Sequence, residues 1–175
     1  MNLRLVKDIK FLEGSMKHSP YTLIVIDVQE GFTQLLQPRV AARFLTAVRA
    51  QVVQAIRDNA DIVIVEYDDE EFGATHKNLK RLACNHLNHT FVYKWDNDGS
   101  SQIIKALRES EFNTKRFKVV GLNTEACVRE TVEGLHKELP SARLEVIQNA
   151  CETANPIKDP WSSYMVSERI HLIPV

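Results

Sequence analysis

The chain has 175 residues, 44% of them hydrophobic, and a formal net charge of −1 at neutral pH. That length suits one domain, able to bury about 70% of the surface its unfolded form exposes. The near-neutral balance argues against nucleic acid or an anionic membrane as partner, and no apolar run approaches the roughly 20 residues of a membrane span. Lys7, Asp8 and Lys10 interrupt the first apolar residues, so no signal-peptide core is read there. Cys84, Cys127 and Cys151 are too few and too scattered for a disulfide framework, which favours a reducing, cytoplasmic setting. The absence of a CxxC pair, a P-loop and a GxGxxG removes support for zinc ribbons, NTPases and the common dinucleotide fingerprint.

Residues 1–20 read as an N-terminal extension, with Leu5, Ile9 and Leu12 at the spacing of an amphipathic helix; residues 21–175 read as the domain. Thr22–Val28 is a short apolar run rich in β-branched residues, as a strand buried on both faces requires. Pro38–Asn59 follows with Val40, Phe44, Leu45, Val48, Val52 and Ile56 at helical spacing. Ile62–Tyr67 is a second buried strand, Ala74–Asn88 a helix, and Phe91–Trp95 a third strand. Gly99–Ser110 is a helix with Asp98 or Ser100 as its N-cap. Phe117–Leu122 makes a strand and Thr124–Leu139 the helix after it. Leu144–Gln148 is a fifth strand, Pro160–Glu168 a short helix, and Ile170–Pro174 a sixth strand. Strands alternating with helices imply parallel pairing through right-handed crossovers, hence an α/β fold of three α/β/α layers.

In open parallel sheets, ligands sit beyond the C-terminal ends of the strands. Asp27 closes the first strand, Lys94 lies near the end of the third, and Cys127 follows the fourth. A helix N-terminus carries about half a positive charge, which favours a thiolate and receives an oxyanion. Each residue also has a bland reading: a packed cysteine, a loop-anchoring carboxylate, a solvated lysine. Together at one rim they suggest a nucleophile, its proton-transfer partner and a charge that tunes both.

These residues carry a resemblance. LIVIDVQEGF, the lysine of VYKWD, and VVGLNTEACVRETV resemble, in order and approximate spacing, the three signature segments of the isochorismatase-like cysteine hydrolases. The likeness runs from about Tyr21 to the end. It implies a six-stranded parallel sheet in Rossmann-like order 3-2-1-4-5-6, and Asp27 as acid/base, Lys94 as electrostatic partner and Cys127 as nucleophile. It further implies a cis peptide between Leu122 and Asn123 and an oxyanion hole from the Ala126 and Cys127 amides. Gln29 and Phe32 match the first segment as structural or pocket residues; Tyr67 and Trp95 are further pocket candidates. In that strand order Lys94 stands two strands from Asp27, roughly 10 Å away, so its side chain must lean inward.

The departures are equally informative. Family members that hydrolyse nicotinamide carry an Asp-x-His metal motif after the second strand. Here Asp68, Asp69, Glu70 and Glu71 follow Tyr67, with His76 the only nearby histidine. A solvated loop at the mouth of the site is the favoured reading, and no metal or other cofactor is expected. Where the family has a Ser-Ala-Phe segment after the lysine, this chain has Asp96, Asn97, Asp98, Gly99, Ser100 and Ser101, so substrate identity does not carry over. Cys84 is expected to pack a helix face, and Cys151 to follow the fifth strand with nothing in sequence to activate it.

The resemblance implies a cysteine hydrolase acting on a small C–N bond (amide, carbamoyl or ureido) through a thioester, working as a homo-oligomer on a small-molecule substrate. Two other readings stay open. One is a non-catalytic relative that binds a metabolite or a partner; the other is a redox protein pairing Cys127 with Cys151.

Overall fold

The computed structural model describes residues 19–155, 159–165 and 167–174. The first eighteen residues, with the amphipathic spacing of Leu5, Ile9 and Leu12, lie outside them. The elements run β1 (Thr22–Ile26), α1 (Glu30–Gln34), α2 (Pro38–Arg57), β2 (Asp61–Tyr67), α3 (Lys77–Cys84), β3 (His89–Lys94), α4 (Ser100–Glu109) and β4 (Arg116–Leu122). A π-helical turn (Thr124–Val128) leads into α5 (Arg129–Glu138), followed by β5 (Arg143–Glu152) and β6 (Ile170–Ile173).

The six strands form one sheet in the order β3-β2-β1-β4-β5-β6, every pairing parallel. Period-two alternation explains why the strand sequences are apolar throughout. Ile24, Ile26, Val63 and Val65 enter the core beneath α4 and α5 with Ile103, Leu107, Val132 and Leu135. Their neighbours Leu23, Val25, Ile62 and Ile64 enter the opposite core beneath α2 and α3 with Phe44, Val48, Val52 and Ala83. The three-layer α/β/α expectation holds. Among the described residues, no helix is long and apolar enough to cross a membrane.

Several local expectations are corrected. The short helix α1 was not anticipated. The strand expected to stop at Gln148 runs on to Glu152, so Cys151 lies inside β5 rather than after it. The helix expected over Pro160–Glu168 is replaced by turns at residues 160–163 and irregular chain beyond them among the described residues. Tyr164 explains that local preference: its hydroxyl donates to the Thr124 carbonyl at 2.7 Å and its ring packs into the core, 5.2 Å from Trp161. Cys84 ends α3 exposed to solvent, not packed.

The sheet's order reverses between β1 and β4, which pair side by side with Ile26 opposite Gly121. A Cβ at Gly121, whose φ is +156°, would stand 2.4 Å from the Ile26 carbonyl oxygen. Glycine therefore lets the two strands approach where they deliver Asp27 and the Cys127 turn.

Candidate active site

Asp27 leaves β1 with φ +54°, a left-handed backbone that a non-glycine residue adopts at roughly 1 kcal/mol. Its N–H donates to the Val65 carbonyl at 2.9 Å, which fixes the bend against β2. The carboxylate then points into the crevice between β1 and β4.

Lys94 ends β3 opposite Tyr67 of β2, and its side chain leans across β2 as the topology demands. The ammonium lies 2.9 Å from Asp27 Oδ2, and neither side chain has exposed surface. Lys94 Nζ also donates to the Asp96 carbonyl at 3.0 Å and sits 4.9 Å from the centre of the Tyr67 ring. Gly99 makes room for the stem: a Cβ there would meet Lys94 Cδ at 2.9 Å. The pair is a fully buried ion contact, and the Cys127 thiol is the next side chain to act on the Asp27 carboxylate. Taking both charges out of water is costly even when they meet, which makes the pair a candidate for more than packing.

Cys127 lies in the π-helical turn rather than the first turn of a regular α-helix. Such turns insert an extra residue into the helical ladder and concentrate at functional sites. The turn is entered through Asn123 in the left-handed conformation (φ 61°, ψ 60°). The Leu122–Asn123 peptide is trans, contrary to the expected cis bond, and the positive φ of Asn123 provides the change of direction. The Ala126 N–H is also not free as expected: the turn folds it back onto the Asn123 carbonyl at 3.0 Å, and Val128 N–H shares that acceptor at 3.2 Å.

The thiol faces two side-chain amides. Cys127 Sγ stands 3.5 Å from Asn97 Oδ1 and 4.0 Å from Asn123 Nδ2. It also interacts with both charged residues. Burial pushes the Cys127 thiol up to about 12; the Asp27 charge adds to that, and Lys94 opposes it. The expectation of a thiolate favoured at rest is therefore corrected: with 3% of the residue exposed, desolvation outweighs the lysine. Burial likewise raises the Asp27 carboxyl, against the opposing charge of Lys94.

The other candidates take distinct places. Gln29 is fully buried and clamps the chain after β2, accepting from Tyr67 N–H at 2.7 Å and donating to the Tyr67 and Gly73 carbonyls at 3.0 and 2.6 Å. Phe32 stacks on Phe72 at 3.8 Å, with Tyr67 edge-on to both. Tyr67 thus joins an aromatic cluster to the Lys94 ammonium, while its hydroxyl donates to the Trp95 carbonyl at 3.2 Å. The Trp95 ring is exposed, so it does not pack in the core. Asp68, Asp69 and Glu70 stand exposed on the loop after β2, and His76 is committed to Thr33 Oγ1 at 2.6 Å. Among the described residues no three His, Cys, Asp or Glu side chains converge as a metal site.

A concavity of about 700 Å³ lies beside α5, lined by Asp98, Glu130, Glu133, His136 and Arg169 among others. A smaller one of about 190 Å³ lies over the acidic loop. Asp27, Lys94 and Cys127 line neither; the crevice is closed in this state. Sequence pattern missed Asn97 and Asn123 as neighbours of the thiol, and Glu130 as the partner of Asn97, because a polar residue in a loop or on a helix face gives no periodic signal.

No protein-family profile matches this chain, and no curated protein sequence matches it. Solved structures do. The chain is similar to YcaC from Pseudomonas aeruginosa, crystallised with hexane-2,5-diol and covalent acrylamide: TM-score 0.69, 17% identity, covering 91% of this chain and 80% of that one. N-carbamoylsarcosine amidase from Thermoplasma acidophilum gives a TM-score of 0.65 and 17% identity over 86% of this chain and 94% of that one. Nicotinamidase PncA from Bacillus subtilis gives 0.62 and 18% over 78% and 88%. At such identities the likeness establishes the fold. It is the fold of these solved structures, in agreement with the fold that the sequence segments suggested.

Proposed function

We propose that the protein is a cysteine-dependent hydrolase of a small C–N bond, with Cys127 as nucleophile, Asp27 as acid/base and Lys94 as the charge that holds Asp27. The observation that carries this reading is the buried Asp27–Lys94 pair at 2.9 Å beside a buried thiol that both charges influence. A buried ion pair is a poor device for stability. It is a good device for keeping a base beside a nucleophile, and strongly perturbed groups gather at such sites. The neighbouring amidase and nicotinamidase folds support an amide-type substrate.

In this reading the thiol is protonated at rest and is ionised only as it attacks. Asp27, with its carboxyl raised by burial, accepts the Cys127 proton as sulfur bonds to the substrate carbonyl carbon. The Cys127 N–H, with the Asn123 side-chain amide, receives the developing oxyanion; Ala126 joins only if its N–H leaves the Asn123 carbonyl. Asp27 then returns the proton to the departing nitrogen, giving a thioester and free amine. In the second half Asp27 takes a proton from water, hydroxide adds to the thioester carbonyl, and the acid leaves as the thiol reforms. A homo-oligomer and a cytoplasmic setting belong to the same reading, the first checked by light scattering of the full chain.

The closed crevice favours a second reading, a binding protein that keeps the fold without turnover. Ammonia release from a panel of small amides and ureido compounds separates the two. The hydrolase reading requires release by the wild type and none by Cys127→Ala.

A further inference from the structure

The loop between β3 and α4 places a carboxamide of the protein's own against the thiol. Asn97 Oδ1 is 3.5 Å from Cys127 Sγ, and Asn97 Nδ2 donates to Glu130 Oε1 at 3.1 Å. An amide group is thus suspended between the proposed nucleophile and a carboxylate acceptor. A substrate carbonyl carbon must come within about 3–3.5 Å of the attacking atom, and the Asn97 side chain occupies that approach.

The loop does not depend on this side chain for its shape. Thr131, fully buried, donates its hydroxyl to the Asn97 carbonyl at 3.2 Å and accepts the Gly99 N–H at 3.0 Å. The Asn97 backbone is fastened to α5 by contacts that do not involve its carboxamide, so a turn of the side chain leaves them intact. Glu130 is independently held by Arg129 at 3.8 Å, and Arg129 by Glu133 at 3.9 Å, so its carboxylate keeps an anchor when Asn97 leaves. Asp98 and Glu130, the chain neighbour and the hydrogen-bond partner of Asn97, both line the concavity of about 700 Å³. Asn97 and Cys127 do not line it, but Glu130 joins its lining to the Asn97 carboxamide.

Resting on the hydrolase reading, we propose that the Asn97 carboxamide is an internal stand-in for the substrate's own group, and that Glu130 reads what displaces it. Among the amide and ureido compounds already proposed, the exchange selects those with a terminal NH₂: the carbonyl takes the position of Asn97 Oδ1 near Cys127 and the NH₂ donates to Glu130. An ester or a carboxylate offers no N–H to that acceptor, and a carboxylate adds like-charge repulsion.

The test is the rate of Cys127 alkylation, followed by peptide mass, with two small reagents. Iodoacetamide carries a primary carboxamide; methyl methanethiosulfonate carries none. Asn97→Ala is expected to accelerate both by about tenfold, the equivalent of one lost hydrogen-bonded plug. Adding Glu130→Ala is expected to leave the methanethiosulfonate rate at the Asn97→Ala level and to slow iodoacetamide by about tenfold. Asn97→Ser provides the same opening where the alanine variant folds poorly. Wild-type rates in the Asn97 variants would overturn the stand-in, and an unchanged iodoacetamide rate in the double variant would overturn the role of Glu130. Neither arm uses turnover, so failure of the hydrolase reading appears in ammonia release and failure of this one in alkylation.

Discussion

Cys127 and Cys151 lie at the same end of adjacent strands, with Gly121 of β4 paired to Cys151 of β5. Both are buried, and burial pushes each thiol up to about 12. Their surroundings differ. Cys151 sits within the strand with its sulfur 4.0 Å from the Val119 carbonyl, and burial dominates its environment. Cys127 stands off the sheet in a π-helical turn, facing Asp27, Lys94, Asn97 and Asn123. Desolvation silences a thiol wherever it occurs. Only a thiol with a base and a cation beside it has a route out of that silence, and this separates the two cysteines.

The largest expected effect breaks the comparison at the sulfur. Cys127→Ala should lower amide turnover by about a thousandfold or more with the chain still folded, since no other group replaces the nucleophile. Cys151→Ala should keep most activity, measured as ammonia release. Comparable losses in the two variants would place both cysteines in the chemistry.

Next in size is the charge pair that distinguishes Cys127. Lys94→Met should destabilise the fold by about 3–5 kcal/mol in urea unfolding, because it strands a buried carboxylate. Combining it with Asp27→Asn should recover part of that loss, since no charge then remains. An unchanged midpoint in Lys94→Met would mean that the pair is not buried in solution as it is here.

A smaller loss tests how the strands deliver the site. Gly121→Ala forces a Cβ to 2.4 Å from the Ile26 carbonyl oxygen, and should cost about 1–3 kcal/mol as β4 moves from β1. Turnover should fall further than stability alone explains, because the Cys127 turn moves with β4.

The last comparison is in pH, where the effect accumulates gradually across a window. A thiol whose folded value rises from 9.0 to about 12 gives stability that is fully present below 9.0 and lost as pH rises towards 12. Both cysteines contribute with the same sign. Unfolding free energy should decline across that window, and less steeply in Cys151→Ala. Alkylation of wild-type Cys127 should also keep climbing above pH 9 instead of levelling near neutrality.

The fold was legible because its causes are local and periodic. Residues such as Ile24 and Val63 on one face and Leu23 and Ile62 on the other leave an apolar run that only a doubly covered strand satisfies. The convergence of Asp27, Lys94 and Cys127 was legible from their places at or after strand ends. Their ionisation was not, since it depends on how much water the finished crevice excludes. Asn123 shows a further limit: its left-handed backbone, with a trans peptide before it, depends on how the π-helical turn packs. Asn97 and Tyr164 reach Cys127 and Thr124 across 30 and 40 residues of chain, contacts that no spacing rule encodes.

The most direct test of the proposed nucleophile is rapid acid quench of the wild-type chain turning over a small amide or ureido compound found active by ammonia release, followed by peptide mass. The account predicts an acyl adduct on the peptide holding Cys127, labile to hydroxylamine as a thioester is, absent in Cys127→Ala and present in Cys151→Ala. Ammonia release that persists in Cys127→Ala with no adduct on any cysteine would contradict it.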